Sequence, residues 1–269
     1  MKKVITLLTI LSLSFLFSCE KEESNVNPIN EATPELIAKL NNLGFNTHDF
    51  QVVVYEGNII VENDIVLTMD QLDKMSAVKA MPDQEHYATD YLVASLPRTI
   101  NVYVSTSFSQ NYFDATDAAI SRYNAESLTL TFQRVTSSSS ADISIVPSPW
   151  YYGFFGILGS AGFPTAAGDP HNEIMLTRSY YDGVTDLGAL TTTIAHEMGH
   201  CIGFRHTDYM DRSFSCGGST DDEGASDVGA NHIAGTPTTP ETGSWMLACS
   251  DGSDRPFTAS DKTALDVLY

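Results

Sequence analysis

The sequence predicts an α+β protein in which a small α/β module precedes a larger domain of strands and helices. From Pro97 onward, stretches with the alternating pattern of strands take turns with amphipathic stretches typical of helices. One of these helical stretches carries histidines at fixed offsets, and the amphipathic pattern over residues 257–269 predicts a helix that closes the domain.

The chain begins with a pattern typical of a signal peptide. Met1–Lys3 is basic, and the apolar run Val4–Phe17 is shorter than the roughly 20 residues that span a bilayer. This arrangement predicts a signal peptide over residues 1–18 rather than a transmembrane helix.

The residues that follow predict a lipid anchor. Leu16-Phe17-Ser18-Cys19 resembles a bacterial lipobox, which implies cleavage before Cys19 and lipidation of its thiol and new amine. The mostly acidic stretch Glu20-Lys21-Glu22-Glu23 resembles the tag that directs lipoproteins to the cell surface, and residues 19–33 are predicted to be a polar tether. We therefore expect an outer-membrane lipoprotein of the bacterial cell envelope, surface-exposed or secreted. An ordinary secretory signal with an incidental cysteine is the alternative.

The charge balance excludes one class of partner. The chain has 34 acidic against 14 basic residues and a net charge of −20. Binding to nucleic acid needs a cationic surface, so we expect no nucleic-acid partner. Apart from the anchor, the charge also argues against anionic membranes, and we expect a monomer that its charge keeps dispersed.

The cysteine count fits an oxidising compartment. With Cys19 lipidated, Cys201, Cys216 and Cys249 remain, and any of three pairings is possible. Cys216 and Cys249 lie in loop-like sequence on either side of a long segment, so they are the expected disulfide. Cys201 lies on a predicted helix and is expected to be a buried free thiol.

Residues 34–90 are predicted to form the small N-terminal module. The predicted elements are a helix at Pro34–Leu43, strands at Phe50–Tyr55 and Asn58–Val61 around a Glu56–Gly57 turn, and a helix-like stretch at Asp70–Met75. A polar, proline-led step at residues 82–86 separates this module from a domain over residues 97–269.

The larger domain has four predicted strands and three predicted helices. The strands are Ile100–Val104, Leu128–Phe132, Ile143–Val146 and Glu173–Leu176. The helices are Asp114–Glu126, Leu187–Cys201 and Phe257–Tyr269, with Asp114 as the N-cap of the first and Ser260 as the N-cap of the last.

The segment from His196 to His206 reads H-E-x-x-H-x-x-G-x-x-H. On a helix, His196 and His200 are one turn apart on one face, so both imidazoles can reach one metal ion. Gly203 permits the positive φ that ends a helix, which lets His206 return as a third ligand. Three protein ligands leave an open position, which marks a catalytic rather than a structural zinc site. Glu197 is placed to act as general base on the attacking water.

This motif is the signature of the metzincins. Residues 196–209, with Cys216 and residues 233–237 and 244–246, resemble the dual-action HEIGH metallopeptidases, except that Met198 replaces the isoleucine. The resemblance covers residues 98–269 and implies a metzincin-like (zincin) domain with a twisted mixed sheet, a zinc helix and a C-terminal helix. It implies a zinc endopeptidase with one catalytic zinc ion and a polypeptide substrate.

Residues 156–164 resemble the edge strand of matrix metalloproteases, with which an extended substrate pairs antiparallel. The resemblance implies that the cleft is bordered by Gly156, Ile157, Leu158, Gly159, Ser160 and Ala161. A glycine-rich loop around a buried strand is the alternative. Ser160 stands where those relatives carry a histidine for a structural zinc, and His171 alone makes no zinc site, so we expect no structural zinc here.

Ser244-Trp245-Met246 resembles the Met-turn of metzincins, in which a methionine packs beneath the three histidines. Met210, which is close to His206 in the sequence, is the competing candidate. Astacins and serralysins carry a zinc-binding tyrosine two residues after this methionine. Ala248 stands there in this chain, so we expect no tyrosine to stabilise the oxyanion.

The N-terminal module has the position of a prosegment, and metzincins are commonly made as zymogens. The sequence has no cysteine between Cys19 and Cys201, which excludes a thiolate switch. Residues 61–65 resemble the aspartate-switch motif of astacin prosegments at Glu62, Asp64 and Ile65. Asp64 is therefore a possible prosegment ligand of zinc, and a solvated turn aspartate is the alternative.

The segment between His206 and Trp245 is long and polar, and such loops are usually functional or disordered. We expect it to form part of the cleft wall on the leaving-group side. Calcium binding by its acids is possible but unsupported, because the spacing of Asp221, Asp222, Glu223 and Asp227 is not that of an EF-hand loop. His232 is expected to be structural rather than a ligand.

Two other functions stay open at this point. One is a catalytically silent scaffold that binds a peptide or glycan at the cell surface, and the other is a zinc amidase that acts on cell-wall peptides. All the catalytic residue types are present, so the sequence favours an active endopeptidase.

Overall fold

The computed structural model describes residues 29–43, 45, 47–48, 51–55, 57–74, 86–218 and 230–269. The signal peptide, Cys19 and the acids at positions 221–223 and 227 lie outside these ranges. Within them, no helix is both long enough and apolar enough to cross a membrane.

The N-terminal module is an antiparallel sheet with two helices. Its elements are β1 (Ile29–Glu31), α1 (Pro34–Leu43), β2 (Val53–Tyr55), β3 (Asn58–Val61), β4 (Ile65–Thr68) and α2 (Met69–Lys74). The four strands pair in sequence order. The sequence predicts two strands here. The structure adds β1 and β4, and β4 follows directly after the turn that carries Asp64.

Both faces of this small sheet are buried. Successive side chains of a strand point to opposite faces, and in these strands apolar side chains point to both faces. Ile59 and Leu67 pack in a cluster with α1. Ile60 and Val66 point the other way and pack against Tyr151 and Tyr152 of the larger domain. The second face therefore fixes the module to the larger domain.

The larger domain is built around a five-stranded sheet. Its elements are β5 (Tyr87–Ala88), β6 (Arg98–Val104), α3 (Gln110–Asn124), β7 (Leu130–Val135), β8 (Ile143–Pro147), α4 (Tyr151–Phe155), β9 (Gly159–Ser160), β10 (Glu173–Leu176), α5 (Arg178–Tyr181), α6 (Gly188–Cys201), α7 (Ser213–Cys216), β11 (Asn231–His232) and α8 (Ala259–Leu268). The sheet order is β7-β6-β8-β10-β9. Only β9, at the edge, is antiparallel to its neighbour. This is the twisted mixed sheet of a metzincin-like α+β domain.

Residues 86–96 pack with the larger domain although they precede the predicted boundary at residue 97. The backbone N–H of Thr89 donates to the carbonyl of Gly203 at 2.8 Å, and that of Arg205 donates to the carbonyl of Tyr87 at 2.9 Å. β5 also pairs with β11. The segment thus adds a strand against the turn that follows α6.

Two predicted helix caps are wrong. α3 begins at Gln110, four residues before Asp114, because Tyr112 is buried and extends the apolar face by a turn. Asp114 lies inside the helix and accepts a hydrogen bond from Gln110 at 2.8 Å. α8 is capped by Thr258 rather than Ser260, in a capping box that Asp261 completes.

Candidate active site

The histidine-bearing helix α6 runs through the centre of the larger domain, and every residue from Leu190 to Cys201 is buried. Asp186 accepts from the backbone N–H of Gly188 at 3.0 Å, which satisfies one of the free amides at the helix start. Tyr123 of α3 donates to the carbonyl of Ala195 at 2.7 Å. The helix is therefore a fixed platform rather than a surface element.

Helix α6 ends just before Gly203, as the sequence predicts. Gly203 has φ of 107°, and the backbone N–H of Phe204 donates to the carbonyl of Gly199 at 2.9 Å. A side chain at Gly203 would lie 2.8 Å from Leu92 and 3.0 Å from the carbonyl of Tyr91. The turn brings His206 back against the helix, and its ring centroid lies 5.3 Å from that of His196 and 4.9 Å from that of His200.

Backbone carbonyls orient two of the three histidines. Nδ1 of His196 is 2.8 Å from the carbonyl oxygen of Trp245, and Nδ1 of His200 is 2.9 Å from that of Phe204. Because a carbonyl can only accept, both Nδ1 atoms must carry the proton. In the neutral imidazole the proton on Nδ1 leaves Nε2 free of hydrogen, as a metal ligand must be.

Asp64 of the N-terminal module completes a four-residue cluster. Its Oδ2 lies 3.0 Å from Nε2 of His206 and 3.8 Å from Nε2 of His196. One ligand atom from each of Asp64, His196, His200 and His206 lies within 4.8 Å of the other three. In the described part of the chain, no other group of His, Cys, Asp and Glu meets this condition.

The donor set fits zinc. Three imidazoles and one carboxylate are the ligands that zinc takes in four-coordinate sites. Nε2 of His200 is buried and finds no hydrogen-bond partner among the described residues. A buried polar atom without a partner is costly, and a metal ion at this point would satisfy it.

The electrostatics of the cluster favour metal binding. Burial, with repulsion from His196 and His206, holds the pKa of His200 well below its usual value, so this imidazole stays neutral. Burial would raise the pKa of Asp64. Attraction to the imidazole of His206 and the side-chain contacts with His196 and His206 outweigh this effect and hold the pKa of Asp64 low. Asp64 is therefore a carboxylate in the folded chain.

Glu197 points into the cleft beside the cluster. Burial and the charge of Asp64 raise the pKa of its carboxyl well above the ordinary value. An atom added at the Cβ position of Gly159 would lie 2.8 Å from Oε1 of Glu197. The glycine thus leaves room for this carboxylate next to the edge strand.

The cleft has a volume of about 270 Å³. Its lining includes Gly156, Leu158 and Gly159 from the edge-strand segment, and Trp245 and residues 247–250 from the segment around Met246. Arg212, Arg255, Asn63 and Asp64 also line it.

The structure packs Met246 against α6 beside Gly199, next to His200. It is fully buried, and its Sδ lies 2.5 Å from the point where a Cβ on Gly199 would stand. Met210, the competitor, instead receives a hydrogen bond from Tyr87 at 3.2 Å. Ala248 lies in the cleft wall at the position where some metzincins carry a tyrosine.

The predicted edge strand over residues 156–161 is shorter in the structure. Only Gly159 and Ser160 form a strand, because Gly156 is the left-handed residue that ends α4. Ala161 lies at the free edge, where its N–H donates to the carbonyl of Asp64 and its carbonyl accepts from Val66, both at 2.8 Å. The bridge between Ile65 and Ala161 is parallel. The N-terminal module therefore occupies this edge.

Cys216 and Cys249 form a disulfide, and Cys201 is a buried free thiol. The disulfide ties α7 to the segment after Met246, and Cys249 also lines the cleft.

His171 and His232 lie outside the four-residue cluster. Burial lowers the pKa of His171 to about 4, and its ring packs against Gly162. His232 belongs to β11 and contacts the hydroxyl of Thr236 at 3.2 Å.

Sequence patterns do not reveal two supports of the site. The first is the backbone carbonyl of Trp245, which orients His196. A backbone carbonyl is present at every residue, so the pattern of side chains does not predict this contact. Asp261 is fully buried and lies 2.7 Å from His86 Nε2 and 2.6 Å from Ser244 Oγ. It also accepts from the backbone of Trp245 at 3.3 Å. Asp261 thereby joins the Met-turn to the start of the domain.

The sequence model of the dual-action HEIGH metallopeptidase family matches residues 59–269. Two structures of myroilysin are similar, each with a TM-score of 0.43. The first is 14% identical over 67% of this chain and 86% of that chain. The second is 12% identical over 66% of this chain and 82% of that chain. High choriolytic enzyme 1, a hatching-enzyme zinc protease from Oryzias latipes, is similar at 17% identity with a TM-score of 0.39, over 66% of this chain and 93% of that chain. No curated protein matches the sequence.

Proposed function

The chain belongs to the dual-action HEIGH metallopeptidase family and is a zinc metalloendopeptidase, and from this premise we propose that it is made as a latent enzyme closed by Asp64. The observation that carries the proposal is the position of the Asp64 carboxylate. It stands among the three histidines, where an active zinc peptidase keeps an open ligand position.

In the proposed mechanism, His196, His200 and His206 would hold the zinc ion. When bound there, zinc supplies a Lewis acid for the peptide carbonyl and for the attacking water. Glu197 accepts a proton from that water as the oxygen bonds to the carbonyl carbon. The C–N bond then breaks, and Glu197 returns the proton to the leaving amine. The raised pKa of Glu197 suits a group that must both take and return a proton.

The geometry of the turn around Asp64 supports latency. Glu62 and Asn63 have φ of 57° and 71°, and this left-handed pair turns the chain between β3 and β4. The backbone N–H of Asp64 donates to the carbonyl of Val61 at 3.3 Å. Asp64 is thus the last residue of the turn, directly before β4, and the strands on either side of the turn are held in the module's sheet.

The direction of the chain at the edge strand also supports latency. The backbone of Asp64, Ile65 and Val66 runs parallel to the edge at Ala161. A substrate is expected to pair antiparallel with this strand. The module therefore runs through the cleft in the opposite direction to a substrate. In this direction the module's own peptide bonds are not in the orientation that is cleaved.

Two substitutions in the full-length chain test the proposal. Glu197→Ala should keep zinc and lose peptide hydrolysis, because the ligands remain and the base is absent. Asp64→Ala should hydrolyse a casein-type substrate faster than the wild type before any processing, because the metal's fourth position opens. Zinc content and initial rate are measured for each purified protein.

Asp73→Ala is the matched control, since Asp73 is an exposed acid of the same module that pairs with Lys39. It should leave the full-length rate unchanged. Equal rates for Asp64→Ala and the wild type would refute latency through Asp64. Undiminished hydrolysis by Glu197→Ala would refute the mechanism.

We also propose that the mature chain is lipidated at Cys19 and held at the surface of a bacterial cell. The basic start, the short apolar run and the Leu-Phe-Ser-Cys sequence support this location. Mass spectrometry of the mature protein should find a diacylglycerol thioether and an acylated amine on Cys19. An unmodified N-terminus elsewhere would contradict it.

A further inference from the structure

Two aromatic side chains stand out from the surface of the larger domain at α4. Phe154 is 79% exposed and Trp150 is 75% exposed, more than any other large apolar side chain that the structure describes. They are four residues apart in one helical stretch, so they lie on the same face. Tyr180 of α5 is 39% exposed, and its hydroxyl donates to the carbonyl of Gly153 at 3.1 Å. We call Trp150, Phe154 and Tyr180 the aromatic patch.

The opposite face of α4 already has a partner. Tyr151 and Tyr152 are buried, and both pack in the cluster that joins the larger domain to the N-terminal module. Trp150 and Phe154 are not among the residues that line the cleft. The exposed pair therefore belongs neither to the interface between the two units nor to the cleft. A cluster of exposed aromatic side chains is typical of a docking surface.

The stretch of chain that carries α4 is free of charge, although the chain as a whole has a net charge of −20. Residues 143–168 contain no charged residue. The guanidinium of Arg178, on the same helix as Tyr180, pairs with the carboxylate of Asp182 at 2.9 Å. A neutral aromatic face fits the interfacial layer of a lipid bilayer, where tryptophan and tyrosine side chains concentrate.

The chain enters the N-terminal module close to the aromatic patch. β1 begins at Ile29, which pairs with Tyr55 of β2. The ring centroid of Tyr55 lies 5.1 Å from that of Tyr151. The ring centroid of Tyr151 lies 6.1 Å from that of Trp150. A short series of direct contacts thus connects the first described residue with the patch.

The length of chain before β1 limits the distance between the module and a bilayer that holds the lipid on Cys19. Residues 20–28 separate Cys19 from Ile29, and this stretch spans at most about 35 Å. The bilayer therefore lies within reach of the aromatic patch. A tether also raises the effective concentration of the patch at the bilayer surface, so a contact made by a few side chains is sufficient.

We propose that the aromatic patch docks on the bilayer leaflet that holds the lipid of Cys19, with Trp150 and Phe154 inserted at the level of the headgroups. The proposal rests on the lipid anchor proposed above. The lipid belongs to the N-terminal module and the patch belongs to the larger domain. The two contacts together fix the orientation of the cleft relative to the bilayer, whereas the lipid alone would leave the larger domain free to turn.

The test uses the mature, lipidated protein reconstituted in phosphatidylcholine vesicles. The chain has two tryptophans, and Trp245 is fully buried, so Trp150 reports on the aromatic patch. In vesicles whose acyl chains carry bromine, the emission of Trp150 should be quenched. Acrylamide in the surrounding water should quench it little, because the docked side chain is covered by lipid. Flotation of the vesicles measures the anchor separately.

Three variants show which side chains make the contact. Trp150→Phe should remove the quenching by brominated lipid, and Phe154→Ser should weaken it. Phe214→Ser is the matched control, since Phe214 is a phenylalanine of α7 that is 44% exposed and lies outside the patch. It should be quenched as strongly as the wild type. All three variants should float with the vesicles, because the lipid on Cys19 is unchanged.

Two results with floating wild-type protein would overturn the proposal. The first is a Trp150 that acrylamide quenches and brominated lipid does not, which would leave the patch in water. The second is a Trp150 that neither agent quenches, which would mean that a second copy of the chain covers the patch. Failure of the wild type to float would contradict the lipid anchor itself and the docking that rests on it. The two failures are therefore distinguishable.

Discussion

At the scale of single residues, Gly159 leaves the space in which Glu197 works. A Cβ here would meet Oε1 of Glu197 at 2.8 Å, Cδ2 of Leu176 at 3.1 Å and Cδ of Glu197 at 3.3 Å. Contacts as short as the first require the carboxylate to move. The proposed general base, Glu197, is thus positioned partly by the absence of a side chain on Gly159.

Gly159→Ala should therefore lower kcat by roughly tenfold to a hundredfold, because small displacements of a catalytic group are costly. Zinc content should stay at the wild-type level, since no ligand is touched. The measurement is kcat with an activated preparation, alongside metal analysis. A kcat equal to that of the wild type would show that Glu197 does not need this space.

The sequence predicts that the three histidines come together, because local geometry fixes their positions. His196 and His200 share a helix face, and Gly203 turns the chain back for His206. The contact between Arg212 and Glu62 lies beyond such reasoning, because 150 positions separate the two residues. Only the packing of β3 and β4 against the larger domain brings them together.

At the scale of elements, the disulfide holds one wall of the cleft. Cys216 ends α7 and Cys249 follows the Met-turn, with a sequence separation of 33. Ser215, next to Cys216, accepts from the backbone N–H of Cys249 at 2.9 Å and donates to Asp208 at 2.5 Å. The covalent bond and these hydrogen bonds fix the same two segments.

Replacing both cysteines by serine should lower the free energy of unfolding by about 2–4 kcal/mol, the usual contribution of a disulfide that closes a loop of this size. Urea unfolding of the oxidised wild type and the double variant measures the difference. Cys201→Ser is the comparison for loss of a thiol without loss of a crosslink. An unchanged unfolding midpoint in the double variant would argue against a structural disulfide.

Element boundaries show where local patterns stop being informative. The alternating pattern predicts β3, whose neighbours are close in sequence, but gives no sign that β4 pairs with Ala161 of the other unit. The predicted edge strand shrinks to Gly159 and Ser160 because α4 ends at Gly156. Long-range pairing and packing decide both the contact of β4 with Ala161 and the length of the edge strand. Neither can be predicted from a short window of sequence.

At the scale of the whole molecule, the metal site joins the two units. Three ligand positions come from the larger domain, and Asp64 comes from the N-terminal module. The apolar face formed by Ile60, Val66 and Tyr152 supports the same contact. Zinc bound at this point would stabilise both units and the interface between them.

Removal of zinc by a chelator should therefore lower the melting temperature of the full-length chain. A ligand present at a thousandfold excess over its Kd contributes about 4 kcal/mol. For a chain of this size that corresponds to roughly 8–16 °C. Scanning calorimetry with and without chelator measures the shift. His200→Ala should show little response, and an equal response in this variant would place the stabilising metal elsewhere.

The central claim is that one zinc ion is held by the three histidines and covered by Asp64 of the same chain. Anomalous diffraction at the zinc edge from crystals of the full-length protein tests it most directly. The account predicts one peak within coordination distance of His196, His200, His206 and the Asp64 carboxylate. A peak that lacks Asp64, or a zinc ion bound at other residues, would contradict it.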